Sequence, residues 1–246
     1  MPDDRRATQT QAQTQWLDRV RATWAERAPW WDAMSETNAV SPDRTDDLRR
    51  TASALRLGDG ATLLDAGCGT GQFALGFAAM GCRVVGVDLA PEMIERARGH
   101  AAARGLDVEF RVGDLGRLPD PDGTFAAVHA RLALQFVPDL AGTLAELRRV
   151  LAPGGRLYAA VPGALSPIYD NAWRRLLNPD RGAINYAVPW ELERVLEELG
   201  WTVVDGWGHY GAALSGEGNR FSAESVAGLD KRLQQAAATS WAVVAE

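Results

Sequence analysis

The sequence predicts an α/β fold built on a mostly parallel sheet, and three observations carry that prediction. Strand-like and helical segments alternate from residue 61 to residue 161, the rhythm of a sheet covered by helices on both faces. A loop with three glycines joins the first strand to the first helix of that series. Acidic residues stand at the end of the second strand and just past the third, and a parallel sheet gathers such strand ends at one edge, where open α/β folds bind ligands.

The elements follow in order. Residues 1–14 are rich in Gln, Thr, Asp and Arg without apolar periodicity and read as a disordered tail. Residues 15–56 form an N-terminal helical segment: Trp16, Leu17, Val20 and Trp24 fall at helical spacing, and Trp24, Ala28 and Trp31 continue the stripe. Such a helix is either a lid that shields a ligand or a layer that packs on the sheet. The domain proper spans 57–246. Its first strand is 61–66, and the helix over 71–80 turns Phe73, Phe77 and Met80 inward. The second strand is 83–88, and Pro91 suits the first turn of the helix after it. Strands follow at 108–112 and 125–130. Leu140, Leu144, Leu147 and Leu151 mark a helix by their spacing, Arg148 and Arg149 sit near its negative end, and Pro153-Gly154-Gly155 stop it. The fifth strand is 156–161. Residues 162–188 then break the alternation with Tyr169, Trp173, Tyr186 and several Pro and Gly, too long a stretch for an ordinary connection, and read as a cap insertion. A helix over 189–199, strands at 201–207 and 240–245, and a helix over 222–236 complete the chain.

A chain of 246 residues, 46% hydrophobic, suffices for one α/β domain with a sizeable core. Its net charge of −6 and pI near 5.2 disfavour nucleic acid as a partner. The N-terminus lacks the apolar core of a signal peptide and no run is long enough to cross a bilayer, so no membrane partner and a cytoplasmic location are expected. A disulfide between Cys68 and Cys82, the only cysteines, would strain the glycine loop, so both read as free thiols.

Residues 63–74 read LLDAGCGTGQFA. Gly67, Gly69 and Gly71 let the backbone turn sharply and let a ligand approach it to contact distance. The dinucleotide fingerprint would put its third glycine at position 72, where this chain has Gln72. Asp88 lies where ribose-binding acids lie after such a loop, with a carboxylate able to accept from both hydroxyls. Asp114, within Gly113-Asp114-Leu115, is placed to read the polar edge of an adenine together with a backbone N–H. Three strand ends thus converge on a nucleotide-type cofactor.

Four motifs occur in sequence: LLDAGCGTG, VVGVDLAPEM, GDLGRLPDPDGTFAAVHA and LRRVLAPGGRLYAAVP. Through them the chain, from about Trp24 to the C-terminus and most strongly over 63–162, resembles the class I S-adenosylmethionine-dependent methyltransferases, in particular the small-molecule group of ubiquinone and menaquinone biosynthesis. The resemblance implies a Rossmann-like seven-stranded sheet with an antiparallel last strand, and S-adenosyl-L-methionine as cofactor. It implies that Asp65 with the backbone of Gly67, Cys68 and Gly69 holds the methionine part, and that Asp88 takes the ribose. Leu89 and Met93 would flank the adenine, Asp114 and the Leu115 N–H would bind its edge, and the Ala130 backbone would lie near the methionine ammonium. Trp31 stands at the Tyr of the family's W-x3-A-x2-Y segment and is counted among the cofactor residues. The chain departs from the family at Ala126, where Asp is usual, and at Gln135-Phe136, where a His is common.

Methyl transfer from a sulfonium is an in-line displacement with a neutral leaving group, so the protein mainly aligns the reactants and excludes water. A general base matters only for acceptors that keep their proton at neutral pH. His209, after the sixth strand, is the first candidate base, against the alternative of a solvated loop histidine; His129, in the fourth strand, either faces the acceptor or packs under a helix. His100 reads as an exposed helix residue. Tyr169, Trp173 and Tyr186 either wall an apolar or aromatic acceptor or form a small core of the cap. Three scattered histidines suggest no metal site. The expected function is methyl transfer to an O, N or C nucleophile of a small-molecule metabolite by a monomer or homodimer. The alternative is an S-adenosylmethionine-binding protein of the same fold that transfers no methyl, with a cyclase or binding role. A nicotinamide-dependent oxidoreductase is a third reading, against which Gln72 and Gly113-Asp114 argue.

Overall fold

The computed structural model describes residues 2–39, 42–177, 183–210 and 221–246. Met1 of the expected tail, residues 40–41 of the N-terminal helical segment, residues 178–182 of the cap insertion and residues 211–220 lie outside the described residues. Seven strands, β1 (Thr62–Ala66), β2 (Arg83–Asp88), β3 (Glu109–Val112), β4 (Phe125–Arg131), β5 (Leu151–Val161), β6 (Val203–His209) and β7 (Ser240–Ala245), form one sheet in the order β3-β2-β1-β4-β5-β7-β6. Every pair among β1 to β5 is parallel, and β7 runs antiparallel to both β5 and β6. The order reverses between β1 and β4, which opens a crevice at their carboxyl ends.

The helices are α1 (Pro2–Ala39), α2 (Pro42–Ala54), α3 (Gln72–Ala79), α4 (Pro91–Arg104), α5 (Leu140–Val150), α6 (Pro189–Glu198), α7 (Ala223–Val226) and α8 (Lys231–Ala237). Alternate residues of each strand face opposite sides of the sheet, so β1 sends Leu64 and Ala66 to one core and Leu63 and Asp65 to the other side. The first core joins Val128, Ala159 and Val161 to Leu144 and Leu147 of α5 and Leu192 and Leu196 of α6. The second joins Ala127, Tyr158 and Ala160 to Phe73 and Phe77 of α3, Ile94 and Ala97 of α4 and Ala52 of α2. A small cluster of Ala28, Trp24 and Trp31 with Ala90 and Met93 fastens α1 to the start of α4. No helix of the described residues is long and apolar enough to cross a membrane, and both cysteines are buried, free thiols.

Several elements differ from the sequence expectation. Residues 2–14, expected as a disordered tail, belong to α1, because no Gly or Pro interrupts the run between Pro2 and Pro29 and its Ala, Gln and Arg favour helix. Met80 caps α3 and is exposed rather than inward. The helix before Pro153 ends already at Val150, and β5 starts at Leu151 through the Pro-Gly-Gly segment, since a residue before proline avoids the helical region. The helix expected over 222–236 is two, each begun by its own side-chain cap, Ser222 on the Ser225 N–H and Asp230 on the Leu233 N–H. His100 is half-buried rather than exposed: its Nε2 lies 2.8 Å from Asp32 of α1, which also accepts from Arg96 at 2.9 Å. Burial alone would raise the Asp32 carboxyl, but the bonds from His100 and Arg96 outweigh it and hold Asp32 below its usual range.

Phe77 is fully buried between the sheet and α3. Phe77→Ala is expected to lower the unfolding free energy by about 3–5 kcal/mol, with an unchanged denaturant slope, in urea titration followed by circular dichroism.

Candidate active site

The glycine loop leaves β1 in a conformation set by backbone bonds to the neighbouring strand. The N–H groups of Gly67 and Cys68 both donate to the Val87 carbonyl, at 2.7 and 3.0 Å, and the Gly71 N–H donates to the Cys68 carbonyl at 2.9 Å. Gly67 and Gly71 have φ of 77° and 82°, where a side chain is strained. A Cβ on Gly67 would collide with Ala133, and one on Gly71 would stand 2.8 Å from the Phe110 ring. The loop therefore packs tightly against the start of the segment after β4.

Asp88 ends β2 with its carboxylate bracketed by backbone: Oδ2 accepts from Gly69 N–H at 3.0 Å and Oδ1 from Ala90 N–H at 2.9 Å. Burial pushes its pKa up to about 6, against the lowering effect of those two bonds. Two cavities meet at this loop. The larger, about 710 Å³, is lined by Asp88, Leu89, Met93, Asp114 and Leu115 on the sheet side and by Leu17, Trp24 and Trp31 of α1 on the other. The smaller, about 550 Å³, is lined by Asp65, Cys68, Phe73 and His129, with Arg44 of α2 and Arg131 at the end of β4. Gly67, Gly69, Trp31, Arg131 and Leu132 line both.

The smaller cavity is strongly polar at its floor. Asp65 Oδ1 and His129 Nδ1 are 2.8 Å apart, both side chains almost fully buried, and Asp65 Oδ2 has no hydrogen-bond partner. Arg44 and Arg131 stand over the Phe73 ring, their guanidinium carbons 4.7 and 4.9 Å from its centroid. Burial and the charge of Arg131 lower Arg44 to about 10, which leaves it cationic at neutral pH. Arg131 is steadied by Asp47 of α2 at 3.7 Å, and Asp47 also faces His209 Nε2 at 3.4 Å.

Of the residues expected at the cofactor, Asp65, Gly67, Cys68, Gly69, Asp88, Leu89, Met93, Asp114, Leu115 and Trp31 all line one or both cavities. Ala130 does not: strand alternation turns its side chain into the core beneath α5. His209 lines neither cavity. It ends the edge strand β6 in contact with the Tyr158 hydroxyl at 3.3 Å, and burial pushes its pKa down to about 4 in spite of Asp47, so the imidazole is neutral and partly buried, away from both cavities. His129 reaches the smaller cavity but is paired with Asp65 and caged by Phe73, Phe77 and Tyr158. Tyr169, Trp173 and Tyr186 line neither cavity. Tyr169 packs against Tyr186 with centroids 5.3 Å apart and donates to the Ala187 carbonyl at 2.9 Å, a small core for the cap, while Trp173 is half exposed. Asn185 bonds to the carbonyls of Leu134 and Val137 and fixes the cap beside the segment after β4. Arg44, Arg131, Leu132, Ala133 and Phe136 line the cavities without having been singled out as cofactor residues. Arg131 carried a usable signal in its place at a strand's carboxyl end, whereas Arg44 stands in a run of charged residues that gives none.

The sequence profile of a family described as a methyltransferase domain matches residues 64–159. The demethylmenaquinone methyltransferase of Thermus thermophilus is 35% identical over 190 residues, 76% of this chain and 79% of its own length. That of Deinococcus radiodurans is 38% identical over 141 residues, 56% of this chain, and there the match spans only 58% of the relative. The solved structure of an S-adenosylmethionine-dependent methyltransferase from Aquifex aeolicus superposes with a TM-score of 0.60 at 19% identity, over 87% of this chain and 97% of that one, a likeness of fold.

Because burial holds Asp88 near 6, the carboxylate is ionised at neutral pH and becomes protonated as the pH falls through that value, when it loses its charge and accepts one hydrogen bond fewer. Affinity for S-adenosylhomocysteine is expected to be full above pH 7 and to drop by about 5- to 10-fold at pH 5, measured by calorimetry. Asp88→Asn is expected to bind weakly with little change over the same interval.

Proposed function

The chain belongs to the class I S-adenosylmethionine-dependent methyltransferases, and from that premise we propose that it transfers the methyl group of S-adenosyl-L-methionine to an O, N or C nucleophile of a small apolar or aromatic metabolite. One observation carries the reading: the joined cavities match the two polar ends of that cofactor. Asp88 offers two carboxylate oxygens to a ribose diol, with the apolar side chains of Leu89, Met93 and Leu115 beside it for an adenine. At the other end, Asp65, whose Oδ2 has no partner, lines the smaller cavity together with Arg44 and Arg131, a complement to a zwitterionic amino acid whose ammonium would meet the carboxylate and whose carboxylate would meet the guanidiniums.

When bound, the cofactor supplies an electrophilic methyl on a cationic sulfur. The residues of this chain position it and keep water away. Trp31 closes over the glycine loop, its Nε1 3.1 Å from where a Gly69 side chain would start. Trp31 packs edge-on against Trp24, and Trp24 against Phe136, with centroids 5.4 and 5.2 Å apart. The Trp16 indole N–H donates to the Phe136 carbonyl at 2.7 Å. This aromatic row supports α1 as a lid over the cofactor. The apolar wall of Leu17, Val20, Trp24 and Phe136 supports an apolar or aromatic acceptor, the class to which the quinones named in the relatives belong.

The test is transfer of labelled methyl from S-adenosylmethionine into fractionated metabolite extract of the source organism. Label is expected in a small-molecule fraction with the native protein and absent with Asp88→Ala, whose cofactor affinity is expected to fall about 10- to 100-fold with the loss of charged hydrogen bonds. Normal cofactor binding with no label in any fraction would instead support the role without transfer.

A further inference from the structure

We infer that His129 is a positioning residue, which locks the Asp65 carboxylate so that its second oxygen is presented to the ammonium group of the cofactor's amino-acid end. The inference rests on the cofactor reading above and adds to it a residue that neither contacts the reacting atoms nor acts as a base.

The pair is built by strand register. Asp65 of β1 stands directly opposite His129 of β4, and His129 stands opposite Tyr158 of β5. All three side chains point to the face that carries α3. The imidazole stacks on Tyr158 at 4.8 Å between centroids and is boxed by Phe73 at 5.0 Å and Phe77 at 5.3 Å, so its plane is set by packing before any ligand arrives. A carboxylate oxygen accepts, so the ring nitrogen that faces it carries the hydrogen, and His129 Nδ1–H donates to Asp65 Oδ1 at 2.8 Å.

The consequence falls on the other oxygen. A carboxylate turns easily about its last torsion, which is broad and roughly two-fold. With Oδ1 held by a caged donor, that rotation is blocked. Oδ2 is left buried and without a partner, in a side chain only 3% exposed that lines the smaller cavity. A buried acceptor left unsatisfied is costly, and a cationic donor gives it the strongest available bond. The guanidiniums of Arg44 and Arg131 fix the direction of the ligand in the same cavity, since they favour its carboxylate and leave its ammonium to Asp65. His129 therefore acts on one half of the ligand alone.

That selectivity is what the experiment reads. Dissociation constants are measured by calorimetry on the full chain with two probes. S-adenosylhomocysteine carries the ammonium and carboxylate, and 5′-methylthioadenosine keeps the adenine, ribose and thioether but lacks both. His129→Leu, which removes the donor, and His129→Gln, which moves it one bond outward, are expected to weaken S-adenosylhomocysteine about tenfold and to leave 5′-methylthioadenosine within about twofold. His129→Asn, whose amide N–H starts where Nδ1 does, is expected to bind both probes within about threefold of the native chain. Equal loss for the two probes, no loss for either, or an Asn variant as weak as the Leu variant would each overturn the inference. A native chain that binds neither probe would overturn the cofactor reading itself, and this inference with it.

Discussion

The Val87 carbonyl receives the N–H groups of both Gly67 and Cys68, and the next residue, Asp88, receives that of Gly69. These three bonds tie the loop that leaves β1 to the end of β2, and the ligand edge of the sheet is placed relative to them. They aim the loop toward the crevice, hold Asp88 in its bracketed position and bring Gly67 so close to Ala133 that only a glycine fits. Because the strands beneath are parallel and paired in register, the carboxyl ends of β1, β2 and β4 arrive at one level. Asp65, Asp88 and Arg131 then line two adjoining cavities at that edge.

Around this fixed edge, the N-terminal helices do chemical as well as steric work. α1 contributes an aromatic row that ends on Phe136, and its Asp32 is held to α4 by Arg96 and His100, so the helix that covers the cofactor cavity is also fastened beside the helix that follows Asp88. α2 brings Arg44 into the smaller cavity and Asp47 to Arg131. The smaller cavity thus draws two cations, Arg44 from α2 and Arg131 from β4, over the face of Phe73, and Asp47 of α2 offsets part of their mutual repulsion. The neutral, partly buried His209 belongs to the far side of this assembly, where it meets Asp47 and Tyr158.

How much of this was legible in the sequence depends on how local the determinant is. β2 and β7 occupy the residues their patterns predict, because alternating apolar residues between turn signals describe a buried strand wherever the neighbours lie. Asp88 and Asp114 were legible as cavity residues because each is placed by its own strand, Asp88 as the last residue of β2 and Asp114 just past β3. Arg44 was not, since its role comes from the path of α2 over α3. Tyr169 and Tyr186 were legible as cap residues, either the wall of an acceptor or a small core, and nothing local to them chooses between the two. Their contact depends on Tyr186 adopting a φ of 56° and on Asn185 bonding to the segment after β4, more than forty residues away in sequence. The start of α1 has no apolar periodicity to mark it, and its helix rests on backbone propensity in a run with no helix breaker.

The sequence by itself determined the parallel sheet, the glycine loop, the acid at the end of β2 and the class of cofactor, because each is written within a short stretch by residue size, backbone freedom or charge. Only the tertiary structure decided which side chains share the smaller cavity, that His209 stands away from both cavities, and that His129 pairs with Asp65. Those facts depend on register between strands some sixty residues apart and on how helices cross the sheet. A side chain's neighbours across a sheet are set by the pairing of whole strands, and no local pattern in a single chain records that pairing.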